Sequence, residues 1–362
     1  MNPNLIYLLA LTYVPGIGPV NQRKILKVVQ PEEIWKLPTK YLKEIFRNRK
    51  DLISYFQTND CLATAQREID FCSKNDIQII TYLDENYPEK LKNCSDSPLV
   101  LFQKGNYDFR RKLHIGVVGT RKMTHYGKKF IEDFVSELSN QDICLVSGLA
   151  FGCHIEMHRN AIEKDLPNIA VLAHGLNRIS PVSHQKEARE IIANGALLSE
   201  YSSFHRAEPI NFVLRNRIIA GLCDAVVLVE SDTKGGALAT AHYANSYNRE
   251  VFAVPGRVDD RWSLGCNELI QSNQAYMIRN AKDLLNYFNL KSNPKPVQKE
   301  LFFQLNPDQE KVYSYLLKNG KRHIDQISLD LEIPTFKLNG ILLELELLEV
   351  IKPFSGKMFG VN

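Results

Sequence analysis

The chain has 362 residues, 44% of them apolar and 24% charged, with a formal net charge of +4 and a pI near 8.5. That length suits two or three domains, one of them large, and that composition describes ordinary globular protein. No apolar run is long enough to span a bilayer, and the start MNPNLIYLLALTYVPGIG lacks the basic residues and small-residue cleavage site of a signal peptide, so the expected location is cytoplasmic with no membrane contact.

Taken in chain order, residues 1–65 read as short helices. LIYLLALTYV is apolar, Pro15-Gly16-Ile17-Gly18-Pro19 makes a turn, and QRKILKVV resumes helical spacing. Helix, glycine turn, helix is the outline of a helix-hairpin-helix or SAM-like domain. The turn serves either as a seat for a phosphate or as a plain tight connection.

Over residues 66–288 short apolar runs alternate with amphipathic segments. HIGVVG, ICLVSG, NIAVLA, ALLSE, DAVVLVE and EVFAVP read as strands, and YGKKFIEDFVSELSN, HQKEAREIIAN and GALATAHYANSYN as helices between them. Continuous apolar strands separated by helices predict an α/β domain, a doubly wound, extended Rossmann-like parallel sheet covered on both faces. Ligands of such sheets bind at the carboxyl ends of strands. Residues 289–300 are polar and carry two prolines, which predicts a linker. Residues 301–362 give three helical patterns and a hairpin around Ser355-Gly356, a winged-helix outline. Its would-be recognition helix carries Lys337 but also Glu344, Glu346 and Glu349, which phosphates would repel, so a protein-contact or purely structural role is expected there.

Four segments of the sheet domain suit phosphate. Gly119-Thr120-Arg121 leaves a strand with a glycine that lets backbone approach, a hydroxyl and a forked cation; the alternative is an arginine paired to a structural carboxylate. Ser147-Gly148 through Gly152 repeats the arrangement at the next strand end. In the segment from Asn211 to Gly221, helical spacing puts Phe212 and Arg215 on one face and sends Arg217 to another. Phe212 then either stacks a base or fills core, and Arg217 either lines the site or ties its helix to the sheet. Lys234-Gly235-Gly236 frees a helix amino terminus for an anion. Four such ends exceed the needs of one small nucleotide, and a polyanion along the sheet rim explains them better.

Catalytic signals are thin. No Walker A pattern occurs, and no nucleophile stands beside a base. His154 and His158 flank Glu156 at metal-compatible spacing, but neither H-E-x-x-H nor a third ligand is present, so no metal and no other cofactor is expected. Asp224 and Glu230 flank a strand in structural or polar-rim positions. The seven scattered cysteines include no C-x-x-C pair and predict reduced, buried small hydrophobes.

From about residue 84 to 278 the segments DENYPEKL, SPLVLFQKGN, VVGTRKMTHYG, LVSGLAFG, AVLAHGLN, ALLSEY, RNRIIAGLCDAVVLVE, KGGALATAHYA, NREVFAVPGR and GCNELI resemble, in order, those of the DprA/Smf family of DNA-processing proteins. The resemblance implies a non-enzymatic single-stranded DNA-binding recombination mediator, a homodimer that loads a RecA-type recombinase during natural transformation. It also implies that Arg121, Phe212, Arg215, Asn216, Arg217 and Lys234 lie in the DNA pocket. The chain departs from the family pattern at Phe151, His154, Asn177, Ser180 and Val213, and His154 stands where an acid is usual. The rival reading is a Rossmann-like nucleotide or nucleoside monophosphate hydrolase, since Lys234-Gly235-Gly236 is similar to the phosphate loop of phosphoribohydrolases without its full glycine pattern.

Overall fold

A computed structural model of the chain describes residues 4–47, 49–110, 113–290, 305–348, 350–354 and 356–361. It divides into two compact units, Met1–Pro294 and Lys295–Asn362. Among the described residues no helix is long and apolar enough to cross a membrane.

The first unit opens with helices α1 (Leu5–Thr12), α2 (Pro19–Leu26), α3 (Pro31–Ile34), α4 (Thr39–Ile45), α5 (Lys50–Gln57) and α6 (Asp60–Lys74). The turn between α1 and α2 puts Gly16 at φ +78°, a conformation costly for residues with a side chain. Buried Gln22 closes the turn from below, donating from Nε2 to the Ile17 carbonyl at 2.8 Å. The boundary expected near residue 65 falls inside α6, which packs on α1 and on the first strand. Leu8, Phe56 and Ala65 share one core with Ile77, Phe102 and Leu197 of the sheet, so these helices bury their apolar faces on the sheet as well as on one another.

Next come β1 (Ile77–Thr81), α7 (Glu89–Lys92), β2 (Val100–Lys104), β3 (Leu113–Val118), α8 (His125–Leu138), β4 (Ile143–Ser147), α9 (Cys153–Glu163), β5 (Asn168–Val171), α10 (Gln185–Asn194), β6 (Ala196–Ser199), α11 (Pro209–Leu222), β7 (Ala225–Leu228), α12 (Gly236–Ser246), β8 (Glu250–Ala253), α13 (Leu264–Gln271), β9 (Tyr276–Met277) and α14 (Ala281–Tyr287). The strands form one sheet in the order β1-β2-β6-β5-β4-β3-β7-β8-β9. The six strands expected from sequence are contiguous and mutually parallel, and β9 extends them. At the other edge β2 runs antiparallel to β6, and β1 antiparallel to β2, so the sheet is mixed rather than wholly parallel. Both faces are covered, as the apolar runs require. Val118, Val146, Val226 and Val251 meet α11 and α12 on one side, while their neighbours Val117, Leu145, Val227 and Phe252 meet α8, α9 and α14 on the other.

The second unit holds α15 (Pro307–Asn319), β10 (Arg322–His323), α16 (Ile324–Leu331), α17 (Thr335–Leu347), β11 (Ile351–Phe354) and β12 (Met358–Val361), with sheet order β10-β12-β11. Val312, Ile327, Leu338 and Leu342 form its core. Residues 291–300 of the expected linker, Glu349 and Ser355 lie outside the described residues.

Candidate nucleic-acid interface

After β3 the chain winds outward through β4, β5 and β6, and then returns to place β7 on the other flank of β3. A crevice opens at such a reversal, because successive crossovers leave it in opposite directions. The loops following β3, β4 and β7 meet there, and the face of α11 closes the site. Together they line a cavity of about 240 Å³. Gly119, Thr120, Arg121, Phe212, Arg215, Asn216, Gly235 and Gly236 all contribute to its wall, so the sequence-predicted segments converge. Ala150, Ser231, Asp232 and Ala237, from the segments singled out in the sequence but not themselves named as site residues, complete it with His154, Val213 and Trp262.

Arg121 stands exposed at the lip, with its guanidinium carbon 5.2 Å from the centre of the Phe212 ring. Arg215 is only 2% exposed. Its Nη1 donates to the carbonyls of Gly148, at 2.9 Å, and of Val171, and its Nε to the Asn216 amide oxygen at 3.2 Å. Among the described residues it has no carboxylate partner, and burial together with Arg121 pushes its pKa down to about 10. It therefore remains a cation, held at the strand ends by backbone dipoles.

His154 occupies the floor. The Gly148 N–H donates to its Nδ1 at 2.9 Å, and Ser147 Oγ lies 2.8 Å from the same nitrogen. With Nδ1 accepting, the ring proton sits on Nε2. Burial, then the charge of Arg215, hold its pKa well below the usual histidine range, so the ring is neutral at pH 7. Its partner in the proposed metal spacing, His158, is wholly buried and turned to the Asn168 side chain at 2.8 Å. Among the described residues no group of three or more His, Cys, Asp or Glu side chains comes together in a metal-binding cluster. All seven cysteines are buried and none is in a disulfide.

The glycine turns divide into ligand-facing and structural. Gly235 and Gly236 open the amino terminus of α12 onto the cavity with no side-chain cap, leaving first-turn N–H groups for an anion. The amino terminus of α8, by contrast, is already served. Thr124 caps it, and the wholly buried Glu230 carboxylate accepts from Thr124 N at 2.9 Å. Gly152, at φ +72°, is the place where the loop after β4 crosses the loop after β3; a Cβ there would lie 2.2 Å from the Thr120 carbonyl oxygen. Ser147, Gly148 and Gly152 thus shape the cavity from behind without lining it. Asp224 is structural too, accepting from the His114 N–H at 2.8 Å and pairing with Lys90.

Two further predicted residues, Arg217 and Lys234, also fall outside the cavity wall. Arg217 points to the opposite side of α11, where it pairs with Glu200 and donates to the Asp96 carbonyl at 2.8 Å. It ties α11 to the sheet, because its helical position faces the buried carboxylate and away from the crevice. Lys234 is exposed on the loop before α12, at the rim rather than in the cavity. Trp262 was missed because it arrives by a long return: Ser231 N–H donates to the Trp262 carbonyl at 2.6 Å, and Arg261 pairs with Asp232 at 2.6 Å while lying over the Trp262 ring.

Residues 78–289 match the family model described as DNA recombination-mediator protein A. The chain belongs to this family. It is 35% identical over 291 residues to protein Smf of Synechocystis, covering 78% of this chain and 72% of that one. It is 37% identical over 207 residues to DNA processing protein DprA of Streptococcus pneumoniae, covering 57% and 72%. The X-ray structure of the pneumococcal protein superposes with a TM-score of 0.68 at 31% identity, over 78% of this chain and 97% of that one. DNA processing protein A of Helicobacter pylori, whose structure concerns its single-stranded DNA binding mode, superposes with a TM-score of 0.54 at 29% identity, over 59% and 95%.

Proposed function

We propose that the cavity between β3 and β7 and its rim bind single-stranded DNA, and that the protein is a recombination mediator without catalytic turnover. The observation that carries this reading is the pairing of Arg121 with Phe212 at the lip above the buried, carboxylate-free cation of Arg215. A guanidinium beside an aromatic ring suits a phosphate followed by a stacked base, and neither contact reads sequence. The uncapped α12 terminus and the exposed Lys234 continue the anionic path along the rim. The single-stranded DNA described for the Helicobacter relative agrees with this chemistry.

On the same reading the protein is a cytoplasmic homodimer that passes its strand to a RecA-type recombinase during natural transformation. The segment from α15 to β12 is a winged helix used for protein contact; α17 exposes Phe336, Leu343 and Leu347 beside Glu344, a surface suited to a protein and hostile to phosphate.

The test is fluorescence anisotropy of a labelled oligothymidine at two salt concentrations, with Arg121→Glu and Lys234→Glu singly and together. The expected result is salt-sensitive binding that each reversal weakens, with the slope of log affinity against log salt falling by about 0.7 for each phosphate contact removed. Unchanged binding by a folded double variant would remove DNA from this rim. Release of adenine from AMP by the wild type would replace the mediator with the hydrolase.

A further inference from the structure

A second concave surface lies on the first unit, in the angle between α2 and the segment following β1, with a volume of about 360 Å³. Its walls are aliphatic: Val20 and Leu83 are 41% and 48% exposed, and Leu26 lies between them. Its rim is cationic, with Lys24 in the last turn of α2 and Lys27 just after it, and no carboxylate stands among the lining residues. Among the described residues no ion pair engages either lysine. The groove is also pre-formed. Arg23 clamps α2 to the neighbouring loop, donating from Nη1 to the Cys94 carbonyl at 3.1 Å and to Ser97 Oγ at 2.9 Å.

We propose that this groove docks a short acidic peptide segment of a partner protein. One aliphatic or aromatic side chain of the segment seats between Val20, Leu26 and Leu83, and its carboxylates meet Lys24 and Lys27. Charge complementarity selects the partner's sign, and the aliphatic walls select an apolar anchor. Nucleic acid fits less well. Tyr82, the one aromatic ring in the lining, already carries Arg23 at 5.4 Å and Lys92 at 5.2 Å from its centre, so its stacking surface is engaged by the chain itself. Aliphatic walls offer a base no partner for its polar edges.

Fluorescence anisotropy of the full chain with a labelled acidic peptide, Asp-Glu-Asp-Asp-Leu-Phe, tests the proposal. The controls are Asn-Gln-Asn-Asn-Leu-Phe, which removes charge, and Asp-Glu-Asp-Asp-Ser-Ser, which removes the anchor. The acidic apolar peptide is expected to bind at low salt, and both controls to bind more weakly. Lys24→Glu with Lys27→Glu should weaken it about tenfold or more, and Leu83→Ser about fivefold, with the thermal transition unchanged because all three side chains are exposed. Oligothymidine affinity should not move in these variants, which separates this groove from the crevice between β3 and β7. Failure of the peptide to bind, or binding unaffected by either variant, overturns the proposal. Loss of oligothymidine affinity in the lysine variant, without peptide binding, overturns it in favour of nucleic acid.

Discussion

Arg121 and Phe212 form the most informative pair to perturb, because each has its own expected contact with a strand and the two also touch each other. Arg121→Ala removes a charge-assisted phosphate contact of roughly 1.5–3 kcal/mol, which is about a 10- to 150-fold loss of affinity. Phe212→Ala removes base stacking of about 1–3 kcal/mol, a loss of about 5- to 150-fold. The variants differ in salt dependence: loss of Arg121 should lower the slope of log affinity against log salt by about 0.7, whereas loss of Phe212 should leave it unchanged. The ring also positions the guanidinium at 5.2 Å. Phe212→Ala therefore costs part of the Arg121 contact too, and the double variant should fall short of the summed losses by about 0.5–1 kcal/mol. Oligothymidine anisotropy on all four proteins, at about 50 and 200 mM salt, closes the cycle. Arg121 is exposed and Phe212 half-buried, so circular dichroism should show intact folds. Strict additivity, with a slope that Arg121→Ala does not change, would refute the assignment of phosphate to Arg121 and base to Phe212.

Arg217→Met should separate structure from binding: it leaves the buried Glu200 carboxylate without its cation, destabilising by about 3–5 kcal/mol in chemical denaturation, while oligothymidine affinity per folded molecule stays at the wild-type value. Equal loss of affinity in the folded variant would return Arg217 to the site. Gly152→Ala forces a Cβ to within 2.2 Å of the Thr120 carbonyl at a positive φ and should lower stability by about 2–4 kcal/mol, read as a drop in Tm; a change below about 0.5 kcal/mol would mean that the two loops do not cross there. Burial lowers the His158 pKa to about 4 from 6.5, so the unfolded chain binds the proton first and stability is lost as pH falls from about 6.5 to 4, by at most about 3 kcal/mol for this residue. His158→Gln should flatten that part of the Tm profile against pH, and an unaltered profile would show that His158 titrates normally.

The six central strands were legible because each is a continuous apolar run buried on both faces, a pattern that survives without knowledge of neighbours. The antiparallel pair β1 and β2 was not. IQIIT carries Gln78 within it and VLFQK ends in Gln103 and Lys104, so neither reads as a continuous apolar run, and the buried Gln103 amide donates to the Gly105 carbonyl at 3.0 Å and the Tyr107 carbonyl at 3.3 Å. The boundary near residue 65 looked plausible because composition changes there, yet one helix runs through it and buries Glu68 against Ser203, 135 residues away. No local pattern encodes such a partner. Within the candidate site, glycine turns drew attention to strand ends that meet at the cavity, and helical spacing sent Arg215 and Arg217 to different sides, as the structure places them. What spacing could not supply was the destination of each side. Arg217 meets a carboxylate from the end of β6, and His154, singled out for a metal spacing and as a departure from the family's acid, accepts a hydrogen bond from the backbone at the end of β4.

Three glycine turns and the α11 segment suggested four seats for phosphate, and two of the turns are already engaged within the protein. Glu230 follows β7 and sits beside the loop after β3, where its backbone carbonyl accepts from Thr120 N–H at 2.8 Å and its side chain serves the start of α8. The positive end of α8 is thereby met by a carboxylate inside the protein, and an incoming anion gains nothing from it. The loop after β4 is likewise consumed, since Cys153 N–H donates to the Thr120 carbonyl at 3.2 Å. Cations and one helix terminus remain: Arg121 at the lip, Arg215 below, the start of α12 beside them and Lys234 on the rim. Placed around 240 Å³, they are too few for a long strand inside the cavity and well suited to one nucleotide step entering it, with the strand continuing over the rim. Affinity should therefore grow with oligonucleotide length only until the rim cations are covered, each added phosphate contact steepening the salt dependence by about 0.7.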